Sequence, residues 1–373
     1  AQPVDRPPEI SAEEDGLDVL TRGPVHEAFA EQVSPDPEPG LTIDKAPPPD
    51  VNELPPDVKP EGEDVVWIPG YWFWDDERKD HVWVSGLWRR IPPGRRWVPG
   101  YWQESDSGYQ WISGFWDDVA REALDYIEPP PESLEVGPSS PAPTEDHFWI
   151  PGNWVLGQAG YDWRPGFWQA YSEGWTWVCP RYVWTPGGCV YVSGYWDYPI
   201  TRRGCLFAPV YFRRPLYLAA GFFYRPTCWI GHNALLQHLW VRPFCRHYYF
   251  GDYYAARYRG NHFVHCHNYF RRHRGFDCLY TYYRHYYRRR GVDYHDRVHR
   301  WHDYYRGHPD RRPAHTLADQ RRRVHDVRGA GNPHDHLGRD WFREAGDRIG
   351  GRTTRRISDG DRDRLARATD QIH

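Results

Sequence analysis

The sequence predicts an α+β protein: a β-rich body of antiparallel meander sheets or a barrel-like closure, followed by an irregular and helical carboxy-terminal region. Three observations carry this. Aromatic pairs of the form Trp-x-x-Gly-x-Trp recur about every fourteen residues between positions 66 and 196. Turn-forming segments separate the copies. Beyond about residue 245 the texture changes to Arg, His, Tyr and Asp at helix-compatible spacing.

Residues 1–64 are rich in proline and acid, with Pro35-Asp36-Pro37-Glu38-Pro39 and Pro47-Pro48-Pro49, and few aromatics. Such a stretch buries too little apolar surface to offset its ordering entropy, so it reads as an extended or disordered tail. Asp18 to Val33 is an exception, where Val25 and Phe29 suit a short helix or docking motif.

The first tandem occupies residues 65–127. Its copies are Trp67-Ile-Pro-Gly-Tyr-Trp72, Trp83-Val-Ser-Gly-Leu-Trp88, Trp97-Val-Pro-Gly-Tyr-Trp102 and Trp111-Ile-Ser-Gly-Phe-Trp116. The segments Asp75–Asp80, Ile91–Gly94 and Glu104–Gly108 read as turns between strands of about eight residues. The central Pro-Gly or Ser-Gly disfavours an unbroken strand, because proline withdraws a ladder donor and glycine weakens the interior. A bulge or kink is expected there, placing both indoles of a unit on one side in a shared aromatic layer.

A proline-rich linker spans 128–147. The second tandem and its transition strands follow over 148–230, with Trp149-Ile-Pro-Gly-Asn-Trp154, Trp163-Arg-Pro-Gly-Phe-Trp168, a degenerate copy near Trp177 and Trp184, and Tyr191-Val-Ser-Gly-Tyr-Trp196. Cys205–Phe212 and Ala220–Tyr224 are strand-like. In 231–373 the candidate helices are Asn233–Trp240, Asp277–Arg290, Asp293–Arg306, Thr316–Val327 and Ser358–Gln371, several opened by a capping residue.

These copies resemble the WXXGXW (YXWGXW) repeat family of bacterial proteins, over about a third of the chain. The resemblance implies export, with placement at the cell envelope surface, outside the cell or in the periplasm. It carries over no catalytic residue.

The net charge of -4 conceals an asymmetry: residues 1–150 hold 32 acidic against 11 basic side chains, and the remainder 19 against 36. The two halves should attract one another, within a molecule or between copies. Absence of Met, including at position 1, fits a processed amino terminus and export. In that setting the seven cysteines suit disulfides, and Cys179 and Cys189, flanking the turn Pro186-Gly187-Gly188, are the best-supported pair. No apolar run reaches the roughly 20 residues of a membrane-spanning helix.

The sequence holds no Gly-x-Ser-x-Gly, P-loop, dinucleotide fingerprint or His-Glu-x-x-His, so the expected function is noncatalytic. It is a structural protein of the bacterial envelope or an extracellular layer that binds further copies of itself or other envelope proteins. The platform residues are Trp67, Trp72, Trp83, Trp88, Trp97, Trp102, Trp111, Trp116, Trp149, Trp154, Trp163, Trp168 and Trp196. The alternative is a polysaccharide or cell-wall binding module, with Asp75, Asp76, Asp117 and Asp118 accepting sugar hydroxyls. No cofactor and no metal is expected, since His262, His265, Cys266 and His267 match no standard zinc spacing. Nor is nucleic acid, although Tyr282–Arg290 pairs rings with cations.

Overall fold

The computed structural model describes residues 16–34, 36–62, 64–272, 277–326, 342–344, 348–349, 352–357 and 361. In it the repeat is a paired object: two consecutive copies form one long hairpin. In hairpin one Val65–Ile68 pairs with Leu87–Arg90, and Tyr71–Asp75 with Asp80–Val84, so each arm is interrupted once, at Pro69-Gly70 and at Ser85-Gly86. Hairpin two joins Arg95–Val98 to Phe115–Asp118 and Tyr101–Ser105 to Gly108–Ile112. Hairpin three joins His147–Ile150 to Phe167–Ala170 and Asn153–Gly157 to Gly160–Arg164. Hairpin four joins Thr176–Val178 to Tyr195–Asp197 and Arg181–Thr185 to Gly188–Val192.

The expected break at the central dipeptide is present, but the aromatic layer differs from the expectation. The two indoles of one copy do not stack with each other. Each meets a ring of the sister copy directly across the hairpin: Trp67 with Trp88 at 5.2 Å between centroids, Trp72 with Trp83 at 5.3 Å, Trp97 with Trp116 at 5.2 Å and Trp102 with Trp111 at 5.4 Å. Hairpin three repeats this with Trp149 and Trp168 at 5.4 Å and Trp154 and Trp163 at 5.2 Å. Most of these contacts are edge-to-face, the arrangement the ring quadrupole favours.

The glycine follows from the same geometry. A methyl group built on Gly86 would lie 2.5 Å from Cζ2 of Trp67, one on Gly114 2.5 Å from Trp97, and one on Gly152 2.5 Å from Trp163. Reciprocally, one on Gly100 would lie 2.6 Å from Trp111. The first indole of each copy therefore lies flat over the glycine of its sister, which is why tryptophan and glycine recur together at this spacing. Hairpin four tests the rule within the same chain. Its first copy is Trp177-Val-Cys-Pro180-Arg-Tyr182, with proline where the others have glycine, and the sister ring that would need that seat is the smaller Tyr191. Gly194 is retained and Trp177 lies over it at 2.5 Å. Trp184 sits nearer the tip, opposite Cys189.

Each of the first three breaks is closed by a glutamate from outside its hairpin. Glu53 accepts the Gly70 N–H at 2.8 Å, the Gly86 N–H at 3.0 Å and the Trp83 indole N–H at 3.1 Å. Glu27 accepts from Gly114 at 2.9 Å and from Trp111 Nε1 at 3.1 Å. Glu135 accepts from Trp149 Nε1 at 3.1 Å and from the Gly152 N–H. These acceptors satisfy donors freed where the ladder stops. In hairpin four the Trp177 indole lies beside the Cys179 thiol instead.

Two of these glutamates come from the acidic amino-terminal segment, for which the sequence predicts an extended or disordered tail. The segment is extended, but Leu20, Val25, Ala28 and Phe29 are buried in the main core. Leu17–Val19 pairs with Val210–Phe212, and Gly23–Pro24 with His247–Phe250. Of the short helix or docking motif expected over Asp18–Val33, no helix forms; the stretch docks instead through strand pairing and by presenting Glu27 and Glu31.

The strands form many small antiparallel sheets, and no closed barrel is formed among the described residues. Ala220–Tyr224 is not a strand; Tyr224 makes one isolated bridge to Glu53. Short helices populate the carboxy-terminal part: α1 (Ile200–Arg203), α2 (His232–Gln237), α3 (Ala256–Gly260), α4 (Cys266–Arg272), α5 (Cys278–Arg288), α6 (Tyr294–Gly307) and α7 (Leu317–Asp326). Asp277 caps α5 by accepting the Tyr280 N–H at 2.8 Å, and Asp293 caps α6 through the Asp296 N–H at 3.0 Å. The expected helix Ser358–Gln371 lies, apart from Asp361, outside the described residues. Hairpins one and four are joined by a buried ion cluster in which Asp197 meets Arg89 at 2.6 Å and Arg203 at 3.0 Å.

Candidate binding face of the third hairpin

The four hairpins are covered unequally. Trp67, Trp72, Trp83, Trp88, Trp111 and Trp116 are at most 4% exposed, so these expected platform residues form the core of the chain itself. Trp97, Trp102 and Trp196 are half-buried. The buried set is consumed by intramolecular packing, a use for indoles that repeat spacing alone does not distinguish from a surface platform.

Hairpin three differs. Its base is anchored: Phe148 and Ile150 are buried, the Phe148 ring lies 6.0 Å from His285 of α5, and Asp146 pairs with Arg288 at 2.9 Å. From Asn153 to Ala170 no residue is fully buried, and Trp154, Trp163 and Trp168 are half-buried, as is Trp149 at the base, so that none of the four indoles is fully covered. Phe167 is 50% exposed and Leu156 45%. The linker crosses this hairpin and adds Leu134 at 55% and Val136 at 83% on either side of Glu135. Four of the chain's large exposed apolar side chains thus lie on this hairpin and the strap that crosses it.

Beside them is a cavity of about 250 Å³ between hairpin three, the linker and the start of hairpin four. Trp149, Trp154 and Trp163 line it together with Glu132, Asn153 and Arg181. One Arg181 guanidinium nitrogen forms an ion pair with Glu31, and Nη1 is buried without a hydrogen-bond partner among the described residues. The lining combines flat aromatic faces with amide, carboxylate and guanidinium groups. That chemistry accommodates a ring that stacks and carries hydroxyl or acidic substituents.

The acids assigned to sugar binding are elsewhere and already engaged. Asp117 is 1% exposed and pairs with Arg96 at 3.0 Å and Arg121 at 3.1 Å. Asp75 holds Arg78 at 2.7 Å, Asp76 accepts from Trp74 Nε1 at 2.9 Å and pairs with Arg242, and Asp118 closes a turn onto the Ala120 N–H at 2.9 Å. The acidic half meets the basic half inside the molecule in the pairs Asp76 with Arg242, Glu31 with Arg181 and Asp146 with Arg288. The Tyr282–Arg290 stretch is mostly α5, with Tyr282 and Tyr283 buried and Arg290 paired with Glu173 at 2.8 Å.

Of the cysteines, Cys179, Cys189, Cys245, Cys266 and Cys278 are buried free thiols, so the expected Cys179–Cys189 bridge is not made. Register explains this: Cys189 faces Trp184 near the tip, whereas Cys179 lies at the interruption between the two halves of its arm. Burial raises the Cys179 thiol well above its ordinary pKa. The four-residue histidine and cysteine cluster divides. His265, Cys266 and His267 stay together and are buried, while His262 turns away to pack on Phe244 at 4.7 Å. No helix among the described residues is long and apolar enough to cross a membrane.

Searches of curated proteins and of solved structures return no match to this chain. The model of the WXXGXW repeat matches twice, at residues 62–89 and 94–116. Each match covers one hairpin except for the last one or two residues of its second arm, in agreement with the pairing of copies seen in the structure. Hairpins one and two therefore carry two copies of the WXXGXW repeat.

Proposed function

We propose that the protein is a noncatalytic structural component of the bacterial envelope or an extracellular layer, and that it assembles with further copies of itself through hairpin three. One observation carries this reading. Hairpins one and two, built to the same plan, have six of their eight indoles buried by their own chain, whereas hairpin three has none of its four fully buried and carries the exposed Phe167 and Leu156 beside them. Aromatic side chains with apolar neighbours at the centre of a patch are what stable interfaces bury. Export is supported by the repeat family's resemblance.

Sedimentation velocity over a range of concentrations tests it. The expected result is a concentration-dependent shift to larger species that Phe167→Asp with Leu156→Asp abolishes. A wild-type monomer at every concentration and salt would refute it. A second reading, glycan binding, is favoured by the 250 Å³ cavity with its three indoles. Under it Trp163→Ala removes retention on cell-wall polysaccharide, and wild-type protein stays monomeric until sugar is added.

A further inference from the structure

The second indole of each copy has a task of its own. In hairpin one the strap Pro49–Val58 runs along the aromatic face: Trp72 Nε1, on the tip half, donates to the Pro49 carbonyl at 2.9 Å, Glu53 enters the break, and Trp88 Nε1, on the base half, donates to the Val58 carbonyl at 3.0 Å. Hairpin three repeats this in the same direction. Trp154 Nε1 donates to the Glu132 carbonyl at 3.0 Å, Glu135 enters the break, and Trp168 Nε1 donates to the Ser140 carbonyl at 3.1 Å. Both straps are proline-rich and outside any helix, so their carbonyls stay open to such donors. Indole N–H groups aimed at an extended proline-rich backbone, with one side-chain pocket for register, make up a recurring way of recognising a peptide.

Hairpin two follows hairpin one after residues 91–94 alone, too few for a strap, and borrows one from the amino-terminal segment: Glu27 enters its break and the Ala28 carbonyl accepts from Trp116 Nε1 at 3.2 Å. Hairpin four follows hairpin three after residues 171–175, equally few. Trp196 holds there the place of Trp88, Trp116 and Trp168, but its N–H donates to no acceptor among the described residues. No glutamate among them reaches the break of this hairpin, and the Trp177 N–H has only the Cys179 thiol beside it.

We infer that the base half of hairpin four is a docking site for an extended, proline-rich, glutamate-bearing strand of another protein chain, which lies on it as the internal straps lie on hairpins one and three. Trp177 and Trp196 meet edge-to-face at 5.1 Å, and the stacked pair Trp175 and Tyr198 at 5.0 Å continues the same face. All four rings are half-buried, whereas Thr176, Val178, Tyr195 and Asp197 on the opposite face are buried in the core. The tip half is closed by hairpin three, since the Tyr182 hydroxyl donates to the Trp154 carbonyl at 3.1 Å. Charge selects an acidic strand. The exposed Arg202 guanidinium stands 5.3 Å over the Tyr198 ring and has no ion pair among the described residues, while Arg90, 5.2 Å from the same ring, is already held by Asp64 at 2.8 Å. This docking uses a different surface from the association through hairpin three.

Fluorescence anisotropy of a labelled synthetic peptide with the sequence of residues 128–141, titrated with the full-length protein, tests the site. The expected result is saturable binding of one equivalent. Trp196→Phe keeps a ring and removes the N–H, and should weaken binding about fivefold, the worth of one hydrogen bond. Arg202→Glu, a change at an exposed side chain, should weaken it about fivefold as well. A peptide carrying Glu132→Gln and Glu135→Gln should bind wild type about fivefold more weakly and show no further loss with Arg202→Glu. Trp168→Phe, at the same place in a hairpin that already holds its strap, should leave the affinity unchanged. No saturable binding by wild-type protein would overturn the inference. So would unchanged affinity in either Trp196→Phe or Arg202→Glu, or a loss in Trp168→Phe, which would move the peptide to hairpin three.

Discussion

If the first indole of each copy is seated on its sister's glycine, then adding a single methyl group at that glycine must be costly, and part of that cost must vanish with the ring. Gly194 isolates the effect, because a methyl there would meet side chains alone: Cζ2 of Trp177 at 2.5 Å, Cη2 at 3.1 Å and Cδ of Pro180 at 2.9 Å. Ordinary carbon contacts lie at about 3.5–4.0 Å, so the ring must retreat by about 1 Å. Overpacking of this kind costs about 1–3 kcal/mol. Trp177→Leu alone loses apolar burial and leaves a gap, a cost of about 2 kcal/mol for a half-buried ring. In the double variant the methyl loses its two indole contacts and keeps the one with Cδ of Pro180 at 2.9 Å, so the combined cost should fall short of the sum by about 1 kcal/mol without reaching zero. Gly260→Ala is the control: nothing lies within 4 Å, and α3 should gain about 0.4–1 kcal/mol. Urea unfolding followed by far-ultraviolet circular dichroism measures all four, provided the slope is unchanged. Strict additivity, or a neutral Gly194→Ala, would refute the seating argument.

Burial raises the Glu53 carboxyl to about 7, outweighing its three N–H donors. A folded value above the unfolded one means that its stabilising contribution is full below about pH 4.5 and is lost as pH rises through 7. The advantage of wild type over Glu53→Gln should therefore shrink by about 3 kcal/mol between pH 4.5 and 8, measured by unfolding at both; a difference independent of pH would show that the clamp does not titrate. Arg89 is fully buried against Asp197 and donates to the Ala28 carbonyl at 2.7 Å. Arg89→Met should cost about 3–5 kcal/mol, and a neutral result would mean that Arg203 alone neutralises Asp197.

Much of the architecture was legible in the sequence because the repeat is local. Spacing, turn residues and the Pro-Gly dipeptide announce an interrupted antiparallel hairpin, and Asp277 and Asp293 announce the starts of α5 and α6. What was not legible depends on contacts between distant residues. Glu27 and Glu53 stand in a proline-rich acidic stretch whose composition reads as solvated, and their partners lie 17 to 87 positions away. The same distance hides which indoles become core: Trp83 and Trp163 occupy equivalent positions in the repeat, yet one is 1% exposed and the other only half-buried. The pairing of Pro180 with Tyr191 was readable too, once copies are compared across the hairpin rather than along the chain.

The claim on which the functional account rests is that hairpin three is the surface left over for another copy. Hydrogen exchange of the full chain at low and high protein concentration tests it directly. The account predicts that raising the concentration slows exchange across 153–170 and the strap at 133–137, with hairpin one unchanged. Equal exchange in hairpin three at every concentration, or new protection confined to other segments, would contradict it.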